Sequence, residues 1–236
     1  MLWYRFWLET RARFLTSLAT VTIFCGVFVY HAEGVLRPQW KSGFNRLLFI
    51  NQQFLVIMWI LACVLLGMGG IVREKAVGTS SLTLSLPVRR ATVLGVRVGV
   101  GLAEAIVLGV VPWLTVFVIS AWAGMPISIT QVGSYIVLLT GGGLVYFAMA
   151  VLVSSLVVGE YTAPAVAFGV VLLSVLVFDN WIPRFNAWRL VTGDFSIDRK
   201  TFLLGKHLPW PGILASLAVA ALMVLASMLV VERREF

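Results

Sequence analysis

Residues 73–90 read REKAVGTSSLTLSLPVRR. Residues 51–72 before them are almost wholly apolar, and residues 98–123 after them are apolar but for Glu104. A short, basic, hydroxyl-rich hairpin between two membrane-type segments reads as a soluble handle on a membrane-buried body. Its internal order is that of a small helix. Gly78 breaks the preceding helix, and Thr79 or Ser80 caps the next. Leu82 and Leu86 stand four apart and share a face, and Pro87 stops the turn. Arg89, Arg90 and Arg97 follow on the start of the next segment. A leucine face with basic shoulders suits a groove on a soluble partner. A plain solvated basic loop is the alternative that spacing alone leaves open.

Composition places the rest of the chain. Hydrophobic residues make up 60% of 236, charged residues 12%, and the mean hydropathy is +0.99. Soluble domains carry about 25% charged residues, so the fold class is an all-α membrane protein. Each crossing needs roughly 20 apolar residues. Backbone in lipid must satisfy its own hydrogen bonds, which favours helices. A barrel would alternate in segments of about 10 residues, whereas 166–178 and 213–231 are continuous apolar runs. The net charge of +8 sits between the apolar runs. It therefore reads as topology and anionic-lipid attraction, not nucleic-acid binding. Cys25 and Cys63 lie inside apolar runs and read as small buried hydrophobes, not a disulfide. The first twelve residues hold no continuous apolar core, so no cleaved signal peptide is expected.

In chain order, residues 1–13 read as an amphipathic helix lying in the interface. Trp3, Phe6, Trp7, Thr10 and Phe14 form one stripe, with Arg5, Glu9 and Arg13 opposite. The simpler alternative is that these residues begin the first span. Spans are expected at about 14–30, 48–72, 91–122, 130–158, 164–178 and 212–231, forming one domain over 1–236. The third carries Gly101, Ala105 and Gly109, a small-residue face for a neighbouring helix, and Pro112, which should kink it. Gly141, Gly142 and Gly143 fall mid-way along the fourth, either for close packing or as a hinge. Residues 31–49 and 179–211 are expected as polar loops. The latter, opening DNWIPRFNAW, lies along the outer interface or dips back in.

Six spans put both termini on one side. With the termini and 73–97 in the cytoplasm, ten Lys and Arg lie inside and eight outside, a thin bias in the right direction. Trp122, Trp181, Trp188 and Trp210 would form an outer aromatic belt, with Trp3 and Trp7 inside.

Sites of catalysis are scarce. There is no GxxxxGK[ST] loop, no HExxH and no Cys/His cluster; His31 and His207 read as solvated loop residues. Glu104 is the informative lone residue, because a carboxylate within a span is costly and marks a site by default. Arg97 lies two turns earlier, roughly 10 Å away along the axis. Hydrogen bonding to another helix is the structural role for Glu104, and a proton or cation site the functional one. A pore or ion-coupled carrier built on Glu104 is therefore an alternative reading. An intramembrane enzyme has no convergent residue set to support it.

Glu74-Lys75-x-x-Gly78-Thr79, followed by Leu84-Ser85-Leu86-Pro87-Val88-x-Arg90, resembles the cytoplasmic loop of ABC-2-type transporter permeases. The six-span layout, the N-terminal helix and the closing Glu232-Arg233-Arg234 are similar to that family too. The family commonly has Leu-Glu after Gly-Thr, where this chain has Ser80-Ser81. The resemblance implies a transmembrane subunit of an ATP-driven exporter in the cell (inner) membrane. A second copy or a paralogue would pair with it, and ATP would be bound by separate ABC ATPase subunits. The coupling helix would map to 79–86, with Glu74, Gly78, Thr79, Leu82, Leu86, Pro87 and Arg90 in the ATPase contact. Gly159 and Glu160 would form a second, smaller cytoplasmic contact. The strongly apolar spans favour a hydrophobic or amphipathic cargo.

Overall fold

A computed structural model describes residues 2–35, 41–68, 90–157, 162–181, 186–205 and 207–233. Its helices are α1 (Leu2–Val35), α2 (Lys41–Gly67) and α3 (Arg90–Trp122). Then come α4 (Ile129–Val137) and α5 (Gly143–Leu156), joined by a π-helical turn, Leu138–Gly142, into one rod. Last are α6 (Thr162–Trp181), α7 (Ala187–Thr192) and α8 (Trp210–Arg233). Among the described residues, five stretches are long and apolar enough to cross a membrane: Leu2–His31, Gly43–Gly67, Ala91–Trp122, Ile129–Leu156 and Trp210–Arg233. The apolar part of α6, Thr162–Phe178, is shorter.

Cross-helix contacts give the directions. Thr10 meets Glu104 and Gly26 lies beside Thr115 and Ile119, so α1 and α3 run parallel. Trp59 reaches Ala105 and Gln52 reaches Trp113, so α2 runs against α3. Gly67 faces Ala150 while Trp59 faces Gly143, so α2 and α5 run together. Two ends result. The root end holds the start of α1, the close of α2 and the start of α3. The cap end holds the start of α2, the α3–α4 turn and residues 186–205.

The first helix departs from the expectation of an interfacial segment followed by a span. It is continuous from Leu2 to Val35. The reason is local: no Gly or Pro occurs before Gly26, so nothing interrupts the hydrogen-bond ladder at Arg13. Phe6 and Thr10, expected on the lipid-facing stripe, are buried, and Trp3 packs towards Gly99 of α3. The expected loop 31–49 is correspondingly short, because α1 runs past His31 and α2 begins at Lys41.

The glycines of the rod serve close packing. A Cβ on Gly143 would meet Trp59 Cζ3 at 2.6 Å, and one on Gly141 would meet Ile213 Cγ2 at 2.9 Å. Trp59 is fully buried here and donates its indole N–H to the Ala105 carbonyl at 2.9 Å. Gly109 on the same face of α3 lies against Thr140. The small-residue face therefore admits α2 and the rod together. Ser216 of α8 donates to the Gly142 carbonyl, at the last residue of the π-turn, 2.6 Å. α3 runs on through Pro112 as one helix.

At the cap end, residues 186–205 fold back onto the bundle. Asn186 caps α7 by accepting from the Trp188 N–H, and Gly193 ends it at φ 84°. Leu190, Val191 and Thr192 are buried. Gln131 pairs with Leu204 as a strand neighbour would, donating to its carbonyl and accepting from its N–H. Trp122, Trp181 and Trp210 are exposed at this end, as a belt requires, whereas Trp188 packs against the core. Outward leucines such as Leu172, Leu176, Leu222 and Leu229 give the bundle an apolar exterior suited to lipid.

Candidate functional site

The root end is tied by one face of α1. Arg13 donates to the carbonyls of Met68 at 3.2 Å and Leu65 at 3.5 Å, at the close of α2. One turn earlier, Thr10 donates to Glu104 Oε1 of α3 at 2.6 Å. Beside it, Arg97 of α3 pairs with Glu9 at 3.0 Å and lies over the Phe6 ring. Arg5 lies 3.7 Å from the same carboxylate. α1 thus grips both helices from which residues 69–89 depart.

Glu104 is buried, and its Oε2 has no hydrogen-bond partner among the described residues. It does not pair with Arg97; the two-turn separation read from sequence holds, and α1 supplies a partner to each. Inter-helix hydrogen bonding is thus in place, with half of the carboxylate left over.

A second polar joint sits nearer the cap. Gln52 of α2 accepts from Trp113 Nε1 at 2.9 Å and donates to the Val191 carbonyl at 2.8 Å. Trp113 in turn stacks on Tyr135 with ring centroids 4.4 Å apart. One buried amide therefore holds α2, α3 and α7 in register. Sequence reading passed over Gln52, although Asn51-Gln52-Gln53 is a polar interruption at the edge of an apolar run.

Between α5, α6, α7 and α8 lies a cavity of about 690 Å³. Val145, Tyr146, Met149, Phe178, Leu190, Val219 and Met223 line it, with Ser174, Asn186 and Ser216 as its other polar residues. Those three are already engaged: Ser174 donates to Val171, Asn186 caps α7, and Ser216 serves Gly142. No charged side chain lines the cavity among the described residues. Such a wall selects for apolar ligands, and the volume falls in the range of small-molecule sites.

Of the residues expected to contact an ATPase, Glu74, Gly78, Thr79, Leu82, Leu86 and Pro87 lie outside the described residues, as do Gly159 and Glu160. Arg90 is the first residue of α3. No three His, Cys, Asp or Glu side chains gather among the described residues. Cys25 and Cys63 are buried free thiols.

A family model described as ABC-2 family transporter protein matches residues 14–185. A comparison with curated proteins finds no match.

Proposed function

This chain belongs to the ABC-2 family of membrane transporter proteins, and from that premise we propose that it is the permease subunit of an ATP-driven exporter. Two copies, or this chain and a paralogue, form the pathway. Separate ABC ATPase subunits bind and hydrolyse the ATP, and this chain does neither. The chain crosses the cell membrane six times with α6 as the fifth crossing, and both termini are cytoplasmic.

The observation that carries this reading is the double grip of α1 on the two roots of residues 69–89. Arg13 holds the close of α2, and Glu9 and Thr10 hold α3. A push delivered to the segment between those roots would not be absorbed by one loose helix. It would tilt α1, α2 and α3 as one body, a rigid-body switch between packed states. Leu82 and Leu86 form the face that meets the ATPase. The apolar cavity supports a hydrophobic or amphipathic cargo.

Co-purification with the partner ATPase tests this. Replacing Leu82 and Leu86 by Glu should abolish association while the permease still folds. Undiminished association in that variant would overturn the reading. The Glu104 oxygen without a partner among the described residues favours a second reading, an ion-coupled carrier. Its mark would be proton-dependent flux without ATP that disappears in Glu104→Gln.

A further inference from the structure

A groove of about 420 Å³ runs between α1 and α3 at the root end. Trp3, Tyr4 and Trp7 form its α1 wall, and Ala103, Glu104 and Val107 contribute from α3. The three aromatic rings are 56%, 66% and 40% exposed, whereas Glu104 is 4% exposed. Tyr4 and Trp7 are stacked, with centroids 6.4 Å apart. The groove therefore has an open aromatic wall and an enclosed carboxylate behind it.

Depth follows from helix geometry. Trp122, exposed at the cap end of α3, marks one interface. Counting back the ~30 Å of hydrocarbon at ~1.5 Å per residue reaches about residue 102. Glu104 thus lies within a turn of the opposite interface, at the level where lipid headgroups meet the acyl region. The neighbouring guanidinium groups do not serve it: Arg97 and Arg5 are directed to Glu9, and Glu104 Oε2 has no partner among the described residues. A carboxylate at this depth with one oxygen unanswered attracts a cation. Aromatic faces in front of it favour a soft, weakly hydrated one.

We propose that this groove binds the ammonium group of an amphiphile, seated against Trp3, Tyr4 and Trp7 with Glu104 as its counter-charge. Its apolar tail lies along Val107 and the exposed flank of α3 in the hydrocarbon. The site is separate from the cavity of α5–α8 and does not depend on coupling to an ATPase. A zwitterionic phospholipid of the adjacent leaflet and a free cationic amphiphile offer the same chemistry.

Radiolabelled dodecyltrimethylammonium, bound to the purified full chain in an uncharged maltoside detergent, tests the site. Saturable binding is expected, and unlabelled lysophosphatidylcholine and lysophosphatidylglycerol serve as competitors. Displacement by lysophosphatidylcholine assigns the site to a lipid headgroup. Displacement by unlabelled dodecyltrimethylammonium alone assigns it to a free cation. Glu104→Gln, and separately the pair Trp3→Leu and Trp7→Leu, should each weaken binding about tenfold or more, the order of a desolvated cation–π contact. Should Glu104→Gln fail to fold, the tryptophan pair decides. Absence of saturable binding, equal displacement by lysophosphatidylglycerol, or wild-type affinity in either folded variant would overturn the proposal.

Discussion

The Arg13 guanidinium on α1 donates to the Met68 carbonyl, one residue beyond the end of α2. The last carbonyls of a helix have no intrahelical donor, and their end carries partial negative charge. A cation from another helix answers both needs. Arg13→Ala should therefore loosen the root end, lowering stability by about 1 kcal/mol. Arg13→Lys should recover part of this, because a point charge keeps the electrostatic benefit without the forked geometry. Thermal unfolding in detergent measures both. A wild-type transition for Arg13→Ala would mean that the contact contributes nothing.

The Thr10–Glu104 joint makes a sharper prediction. The Thr10 hydroxyl has one proton and three acceptors in reach: Glu104 at 2.6 Å, Phe6 at 3.1 Å and Trp7 at 3.4 Å. Thr10→Val leaves the carboxylate without a donor and should cost about 1–3 kcal/mol. Adding Glu104→Leu should return most of that loss, since removing both polar partners is nearly neutral. A double-mutant cycle should give a coupling of about 0.5–3 kcal/mol; simple additivity would show that the two residues act apart.

These joints mark the boundary of what the sequence discloses. The long crossings were readable because hydropathy accumulates over twenty or so residues, and α3, α8 and the 129–156 rod follow the apolar runs closely. The small-residue face at Gly101, Ala105 and Gly109 was readable because close approach requires small side chains. The course of α1 was not. An aromatic stripe opposite basic residues looks the same whether it meets lipid or another helix, and only the position of α3 decides that Phe6 and Thr10 are covered. The π-turn at Leu138–Gly142 escaped as well. Three glycines announce a weak point but not which carbonyl Ser216 will take. Gln52 and Arg13 were missed as joints for a related reason: each donates to a main-chain carbonyl, which leaves no trace in side-chain patterns.

Two glycines on the rod should respond oppositely to alanine. At Gly143 a methyl group would sit 2.6 Å from the Trp59 ring, and Trp59 is fully buried with its N–H committed to Ala105. With no slack in the ring, Gly143→Ala should destabilise by about 1–3 kcal/mol. Gly133 has open space around its Cβ position. Gly133→Ala should be neutral or stabilise by up to about 1 kcal/mol through helix propensity. Equal transition temperatures for the two variants would contradict the packing of the rod against α2.

Topology is open to a direct check. The proposed six crossings would put residues 73–90 in the cytoplasm and the α3–α4 turn outside. In a background lacking Cys25 and Cys63, a cysteine at Ser128 should react with an impermeant maleimide added to intact cells. A cysteine at Thr83 should react only after the membrane is opened. Labelling of Thr83→Cys from outside would place the segment in the wrong compartment for an ATPase and remove the basis of the coupling reading.

The cavity distinguishes a cargo site from a packing defect. Ala215 and Ala218, three residues apart on α8, are both exposed, but only Ala215 lines the cavity. Ala215→Phe would push a ring into a volume of about 690 Å³, room enough to accept it without strain. Filling an apolar void usually stabilises or leaves stability unchanged, because the new atoms find contacts that empty space lacked. Ala218→Phe adds the same ring on the lipid side and controls for bulk. If cargo occupies the cavity, Ala215→Phe should abolish the cargo-dependent rise in ATP hydrolysis of the assembled transporter, while basal hydrolysis and unfolding temperature stay at wild-type values. Ala218→Phe should retain the rise. Full stimulation in a folded Ala215→Phe variant would move the pathway out of this cavity and towards the surface proposed to meet a second permease subunit.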